Sequence, residues 1–455
     1  MFVYKNIMKK FFYIQIVVLL LFFIPHTDLI ADESIQNKTP DDIIDLTVDF
    51  SEISGPVRHN AAGILHSFHT DEPPDSLVMP LQLKAFRGRP NEQYLFLPGF
   101  YNRLRKIGIQ HIQAVVSDAY GYPDMFKGWP GDNADWTRWE SVVRHVVQEC
   151  QSRKISVAYD IWNEPDIGYF WGRDRARWYE TWLRGYKIIR SLQGDAAIVG
   201  PSISHFDAAF LQDFLRFAKT NNCLPDIISW HELSLPHGRR IPVHVTRMND
   251  LLTSEGVAIH RISINEIIPA HHQFSPGTAV SYFAAIEQTT VESACHSCWP
   301  DVAGDNGENR SLDGLLTHDT KQPRSTWWAY KYYGDMNGYL LPLHQASSTT
   351  SSIDGIASYD SNDYSARVLI GNTGSPEPRS VRINLINIKN VLELFGEGRI
   401  SVKGYYVPCS ETNPLSSPLN TINTILAVQN DRYTMIIPHI ESKGAYALLI
   451  TPVQP

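Results

Sequence analysis

From Ala61 onward the chain repeats one unit: a short apolar, β-branched stretch, a turn, and a run with apolar residues at helical spacing. The strands read this way are Gly63–Phe68, Leu81–Phe86, His111–Ser117, Ser156–Trp162, Ala197–Pro201, Asp226–His231, Arg261–Glu266 and Ser293–Trp299. Helical periodicity is clearest over Trp139–Cys150, Arg177–Leu192, Phe206–Lys219, Val243–Leu252, Gly277–Thr289 and Thr326–Met336. Strands that alternate with helices imply a parallel sheet, because a parallel pair needs a long crossover. Eight such units over about 270 residues have the size of a closed (β/α)₈ TIM barrel. Residues 69–80 and 87–99 read as long loops, which in such a barrel shape a pocket.

Beyond Met336 the helical period disappears. Short alternating segments replace it: Ile356–Tyr359, Ala366–Asn372, Arg379–Leu385, Ile400–Tyr406, Arg432–Ile437 and Ala445–Ile450. Turn clusters such as Gly374-Ser375-Pro376 separate them, the pattern of an accessory antiparallel β-sandwich. The alternating segment at 44–50 is expected to add a strand to it. The expected organisation is therefore a signal peptide over 1–31, a segment over 32–60 that joins the sandwich, a barrel over 61–338 and a sandwich over 339–455. The signal peptide is read from Lys5, Lys9 and Lys10, followed by the apolar run Phe11–Ile24, which is short for a membrane span, and Leu29-Ile30-Ala31 as a cleavage site. Export to the periplasm or medium follows as an expectation, with no membrane attachment after cleavage.

A net charge of −8 argues against a nucleic-acid partner. Five cysteines are an odd number, so at least one is free or pairs between chains. Cys295-His296-Ser297-Cys298 has the form of half a metal site, but no second pair with matching spacing accompanies it. No metal and no cofactor are expected.

Two strands end in glutamate. Ile155–Ile161 runs into Trp162-Asn163-Glu164-Pro165, and Pro165 stops the strand. Arg261–Glu266 ends the same way. A barrel presents strand ends at its carboxyl mouth. Two carboxyl groups there, one protonated and one ionised, are what glycoside hydrolysis requires. Glu232, after the sixth strand, competes with Glu266 for the second position.

Tyr159-Asp160-Ile161-Trp162-Asn163-Glu164-Pro165-Asp166 with Ile264-Asn265-Glu266 resembles clan A of the glycoside hydrolases, most like family 39. The resemblance extends to Ser117–Pro123, Trp129–Asn133 and Ser311–Leu315. It implies a retaining, exo-acting O-glycosyl hydrolase with Glu164 as acid/base, Glu266 as nucleophile and Asn163 on the sugar 2-hydroxyl. It also implies substrates such as β-xylosides, α-L-iduronides or arabinosides. An endo-acting clan A glycanase and a non-catalytic carbohydrate-binding barrel are the alternatives.

Other strand-end residues are candidates for substrate contact. His231 faces either the nucleophile, a sugar hydroxyl or only its neighbours. Trp299 is either the aromatic floor that clan members place there or core packing. His66, Asp118 and Tyr120 are placed to reach the sugar. Lys84 and Arg87, read at the end of the second strand, either receive the carboxylate or sulfate of an acidic sugar or form a salt-bridged rim. The expected partner is a carbohydrate, and the oligomeric state is left open.

Overall fold

The computed structural model describes residues 43–121, 128–302, 304–345, 351–388, 398–427 and 431–453. The expected signal peptide, the residues up to 42, and Tyr122-Pro123 lie outside them. Residues from Asp42 onward form one compact unit.

Eight parallel strands close into a barrel: Gly63–Ile64, Ala85–Gly88, His111–Val115, Ala158–Asp160, Ala197–Ile203, Ile227–Glu232, Arg261–Ile267 and Val291–His296. They are called the first to eighth barrel strands below. Every expected strand is present. The first, third and fourth are shorter than read, and the second begins at Ala85 rather than Leu81. That shift matters for Lys84. Its carbonyl accepts from the N–H groups of Gln110 and His111, so Lys84 sits at the amino end of the barrel, away from the mouth. It is not a substrate residue. Leu81, read as the start of the strand, instead closes a short helical turn over Asp75–Leu81 that otherwise falls within the stretch read as a loop, and the strand runs Ala85–Gly88.

Outward-facing Tyr159, Ile198, Ile228, Ile262 and Ile264 join one apolar core with the surrounding helices. The barrel interior is polar. Gln113 donates to Ser263 at 2.8 Å, Ser263 and Ser293 share a bond at 3.0 Å, and Asn265 donates to Ser202 at 2.9 Å and Asp160 at 3.1 Å. Buried polar groups are tolerated because they satisfy one another.

Two sheets enclose a second apolar core that includes Leu46, Val48, Ile383, Ile400, Val402 and Leu448. The larger runs in the order Leu419–Ala427, Arg399–Val407, Ala445–Pro452, Ser365–Asn372, Ile353–Asp360, Tyr339–Leu341 and Gly55–Pro56. The smaller contains Leu343–Gln345, Ile43–Asp49, Arg379–Ile386 and Arg432–Ile440. Ile43–Asp49 supplies the expected extra strand, pairing parallel with Arg379–Ile386. Leu419–Ala427 escaped sequence reading because it is a largely exposed edge strand without regular apolar alternation, with Ile422 and Leu426 half-buried against the core.

Helix Pro276–Glu287 lies between the two parts and is buried on all sides, which explains why its sequence is apolar all round. Ser275 caps it, accepting from the Thr278 N–H. At Gly277 the helix meets the sheet backbone directly: a Cβ there would lie 2.2 Å from the Asn372 carbonyl oxygen and 2.7 Å from that of Gly444. Alanine would normally favour a helix over glycine. Here Gly277→Ala is expected to destabilise the protein by about 1–3 kcal/mol through overpacking. Urea denaturation reads the change; unchanged or increased stability would mean that this seam yields without cost.

Candidate active site

The mouth of the barrel is organised by one arginine. Arg87 is on the second strand and 1% exposed. Its Nε donates to Asp160 at 2.9 Å, its Nη1 to Glu266 at 2.8 Å and its Nη2 to Asn163 at 2.7 Å. Burial works against its charge, and Asp160 and Glu266 more than offset that effect, so the guanidinium stays charged. The reading of Arg87 as a receiver for a sugar carboxylate is corrected: its fork is already filled by the protein's own groups.

Strand geometry aims Glu266 inward. Simple alternation from Ser263 and Asn265, which face the barrel interior, would turn Glu266 out toward the helices. The seventh strand carries one extra residue here relative to both neighbours. Ile264 pairs with Trp230 and Glu266 with His231; on the other side Ile264 pairs with Ala294 and Ile267 with His296. This bulge brings two successive side chains to the same side. Glu164 is aimed by a different device, a left-handed backbone with φ +46°, with its N–H bonded to the Ser202 carbonyl at 2.9 Å. A non-glycine residue in that conformation is strained and persists only where its surroundings hold it. Trp162 does so from below. It is fully buried among Trp129, Trp139 and Trp171, and its Nε1 donates to Phe170 O at 3.0 Å, closing the turn that follows Glu164.

A carboxylate oxygen of Glu164, one of Glu266 and a ring nitrogen of His231 all lie within 4.8 Å of one another. His231 Nδ1 is 2.9 Å from Glu164 and 3.8 Å from Glu266. The ring therefore bridges both acids. Glu232 is excluded from the pair because it accepts from Trp230 Nε1 at 2.8 Å and is bound to His244 Nδ1 at 2.6 Å. Three such groups at this spacing also have the makings of a cation site, but the Arg87 guanidinium already supplies positive charge at Glu266.

The two acids differ electrostatically. Burial, reinforced by Asp166, pushes Glu164 up to about 7. Burial also raises Glu266, and His231 and Arg87 oppose it. His231 is driven down to about 4, chiefly by burial, and is neutral. Burial therefore favours the protonated form of Glu164 near neutrality, while Glu266 has the Arg87 guanidinium at 2.8 Å beside its carboxyl group.

The remaining candidates fall into place around this pair. Asn163 has its Oδ1 held by Arg87 and its N–H by Ser117 Oγ at 3.1 Å, which fixes the amide. Trp299 stands half-buried beyond the eighth strand, its Nε1 donating to Ile268 O at 2.9 Å. His66 and Asp118 approach each other at 3.7 Å beside the first and third strands. Tyr120 points elsewhere: its ring packs on Trp139 and Trp162, and its hydroxyl donates to Gly128 O, so it supports the wall and does not reach a sugar. Of the other cysteines' motif, Cys295 lies on the eighth strand and Cys298 beyond it, and all five cysteines are free. Sequence reasoning missed Asp160. Its signal was a lone acid inside an apolar strand, which needs a buried partner.

A closed parallel barrel with a β-sandwich and two strand-end glutamates on the fourth and seventh positions defines the architecture of a clan A glycoside hydrolase, and the fold is family 39-like. No protein-family model matches the chain. It is 23% identical over 272 residues to a 3-O-alpha-D-galactosyl-alpha-L-arabinofuranosidase of Bifidobacterium longum subsp. longum, covering 53% of this chain and 23% of that protein. It is 22% identical over 409 residues to a 3-O-beta-L-arabinopyranosyl-alpha-L-arabinofuranosidase of Bifidobacterium pseudocatenulatum, covering 77% and 41%. The chain thus spans less than half the length of either relative. Among solved structures it is similar to N2152 from Neocallimastix frontalis, with a TM-score of 0.75, 25% identity, and 90% and 100% of the two chains covered. It is also similar to the GH39 enzyme from Xanthomonas axonopodis pv. citri, with a TM-score of 0.63, 14% identity, and 90% and 97% covered.

Because its acidity is lower in the folded protein, Glu164 takes up a proton on folding as pH rises between the ordinary 4.5 and about 7. Stability linked to this group therefore falls across that window and stays lower above it. Glu164→Gln is expected to raise the melting temperature more at pH 8 than at pH 5. Equal shifts at both would contradict the assigned environment.

Proposed function

We propose that the protein is a retaining, exo-acting O-glycosyl hydrolase acting on neutral pentose-containing oligosaccharides of the arabinoside or xyloside type. The observation that carries the reading is the Glu164–Glu266 pair at the barrel mouth, its closest oxygens within 4.8 Å. Retaining enzymes place their two carboxyl groups about 5–5.5 Å apart, too close for a water between them, whereas inverting enzymes leave about 6.5–9.5 Å.

In this mechanism Glu164, protonated near neutrality, gives its proton to the departing glycosidic oxygen. Glu266, held by Arg87, attacks the anomeric carbon as the carboxylate and forms a glycosyl ester. Glu164, now a carboxylate, takes a proton from water, which adds to the anomeric carbon and releases Glu266. His231 stays neutral and bonded to Glu164, so it orients the acid without competing for its proton. The Asn163 amide, fixed through its oxygen, has its N–H groups available to a sugar hydroxyl beside Glu266. Exo action is supported by cross-ties between the loops after the first and eighth strands. Arg310 and Lys321 both pair with Glu72, and Ser311 N donates to Ser67 Oγ at 2.8 Å. In this reading the tied loops close one end of the cleft. The arabinofuranosidase names of the two bifidobacterial relatives and the family 39-like fold support the pentose class. Export remains part of the proposal on the strength of the basic and apolar stretch within residues 1–31.

The roles separate by experiment. Glu266→Ala is expected to lower kcat by about 10⁴-fold or more on every substrate. Glu164→Ala is expected to cost about 10²–10⁴-fold on natural glycosides, to spare the first step with nitrophenyl leaving groups, and to be rescued by azide. Identical responses of both variants to leaving group and azide would sink the role split. The alkaline limb of kcat/KM in the wild type is expected near pH 7, where Glu164 loses its proton, and it should vanish in Glu164→Ala. A limb that survives the substitution would assign it to another group.

A further inference from the structure

On one side of the acid pair, four strand-end loops meet in a cluster that the reaction scheme does not use. Arg89 follows the second strand and pairs with Glu308, on the loop after the eighth. The Tyr94 hydroxyl donates to the other oxygen of Glu308 at 2.9 Å, and Arg89 lies over the Tyr94 ring, 5.5 Å from its centroid. Arg89 Nε is 3.7 Å from Asp118, on the short helix after the third strand. Asp118 in turn is 3.7 Å from His66, whose Nδ1 is buried without a hydrogen-bond partner among the described residues. Asp118 also acts electrostatically on Glu266 and Arg87, which places the cluster beside the reacting carboxylate.

The charge balance of this wall is negative. Arg89 faces two acids at once, Asp118 and Glu308. His66 adds nothing, since burial, Arg89 and Arg87 hold it neutral. Asp313, which accepts from the N–H groups of Leu65 and Ser67 and so fixes the loop carrying His66, is pushed up to about 8 by burial and is uncharged near neutrality. The Arg87 fork is filled, and Arg89 spends Nη1 on Glu308 and holds Nε 3.7 Å from Asp118. A sugar acid entering here would meet Glu308 and Asp118 beside Arg89, and could take the guanidinium as a two-pronged receptor only by displacing Glu308. Sugar hydroxyls meet the opposite situation, because carboxylates are pure acceptors and welcome O–H donors.

We propose that Arg89, Glu308 and Tyr94 form a specificity wall that restricts the glycone pocket to uncharged sugars. This rests on the glycosidase reading above and adds residues that determine which sugar enters. Glu308 acts by occupying Arg89; with Glu308 neutralised, Arg89 becomes a carboxylate receptor at the same spot.

The test compares sugars that differ only by a carboxylate at C5: nitrophenyl β-D-xyloside with nitrophenyl β-D-glucuronide, and nitrophenyl α-L-arabinopyranoside with nitrophenyl β-D-galacturonide. The readout is the uronide-to-neutral ratio of kcat/KM, or of 1/Ki against whichever aryl glycoside is cleaved fastest. In the wild type the neutral sugar is expected to win. Glu308→Gln is expected to move the ratio toward the uronide by about tenfold, the effect of one partly screened charge. Arg89→Met in the Glu308→Gln background is expected to return it. A general loosening of the loop would move both substrates together and leave the ratio fixed. A wild type that prefers the uronide, or a ratio unmoved by Glu308→Gln, overturns the wall. A wild type inactive on every aryl glycoside overturns the glycosidase reading itself, and the wall falls with it.

Discussion

The site depends on the buried Arg87 guanidinium. Its three donors fasten three strands at once: Asp160 and Asn163 at the fourth, Glu266 at the seventh, and the arginine itself at the second. Asp160 is held from the other side by Ser202 and Asn265, so the polar interior of the barrel continues without a break into the site. A buried ion pair of this kind contributes little net stability, but removing one partner strands the others, at a cost of about 3–5 kcal/mol. The barrel tolerates the arrangement because every charge has an opposite charge and a hydrogen bond.

The same network sets the two acids apart. Glu266 touches Arg87 directly, and Arg87 and His231 oppose the effect of its burial. Glu164 stands one step further off, is buried, and faces Asp166. His231 lies between them, too buried to hold a proton of its own. In the proposed reaction Glu164 is the carboxyl that arrives protonated, and Glu266 is the one held against a positive charge.

The strands and the sandwich were legible because burial writes itself into sequence as period. The eight apolar stretches, the helices from Trp139 onward and six sandwich strands all carry it. Where period fails, reading failed. Lys84 was placed near the mouth because the apolar run Leu81–Phe86 was read as the whole strand, whereas the strand runs Ala85–Gly88 and Lys84 precedes it. Leu419–Ala427 was missed because this edge strand is largely exposed and only half-buries Ile422 and Leu426, which leaves no regular alternation. The two glutamates were found from their positions at strand ends, yet the device that aims Glu266 inward, the bulge at Asn265-Glu266, is a property of register between strands and leaves no local mark. Arg87 was singled out with two tasks open, and the salt-bridged one holds, turned inward to Asp160 and Glu266. Its role depends on Asp160, 73 residues away in sequence, and only closure of the barrel brings them together. Arg89, Tyr94 and Glu308 lie in loops, where sequence carries no periodic signal at all.

The central claim is that Glu266 forms the covalent link to the sugar while Glu164 handles the proton. The most direct test is to incubate the protein with a 2-deoxy-2-fluoro glycoside bearing an activated leaving group, which slows release of the ester more than its formation, and to map the labelled peptide by mass spectrometry. The account predicts one sugar per chain, attached to Glu266. Label on Glu164 or Glu232, or hydrolysis with inversion and no label at all, would contradict it.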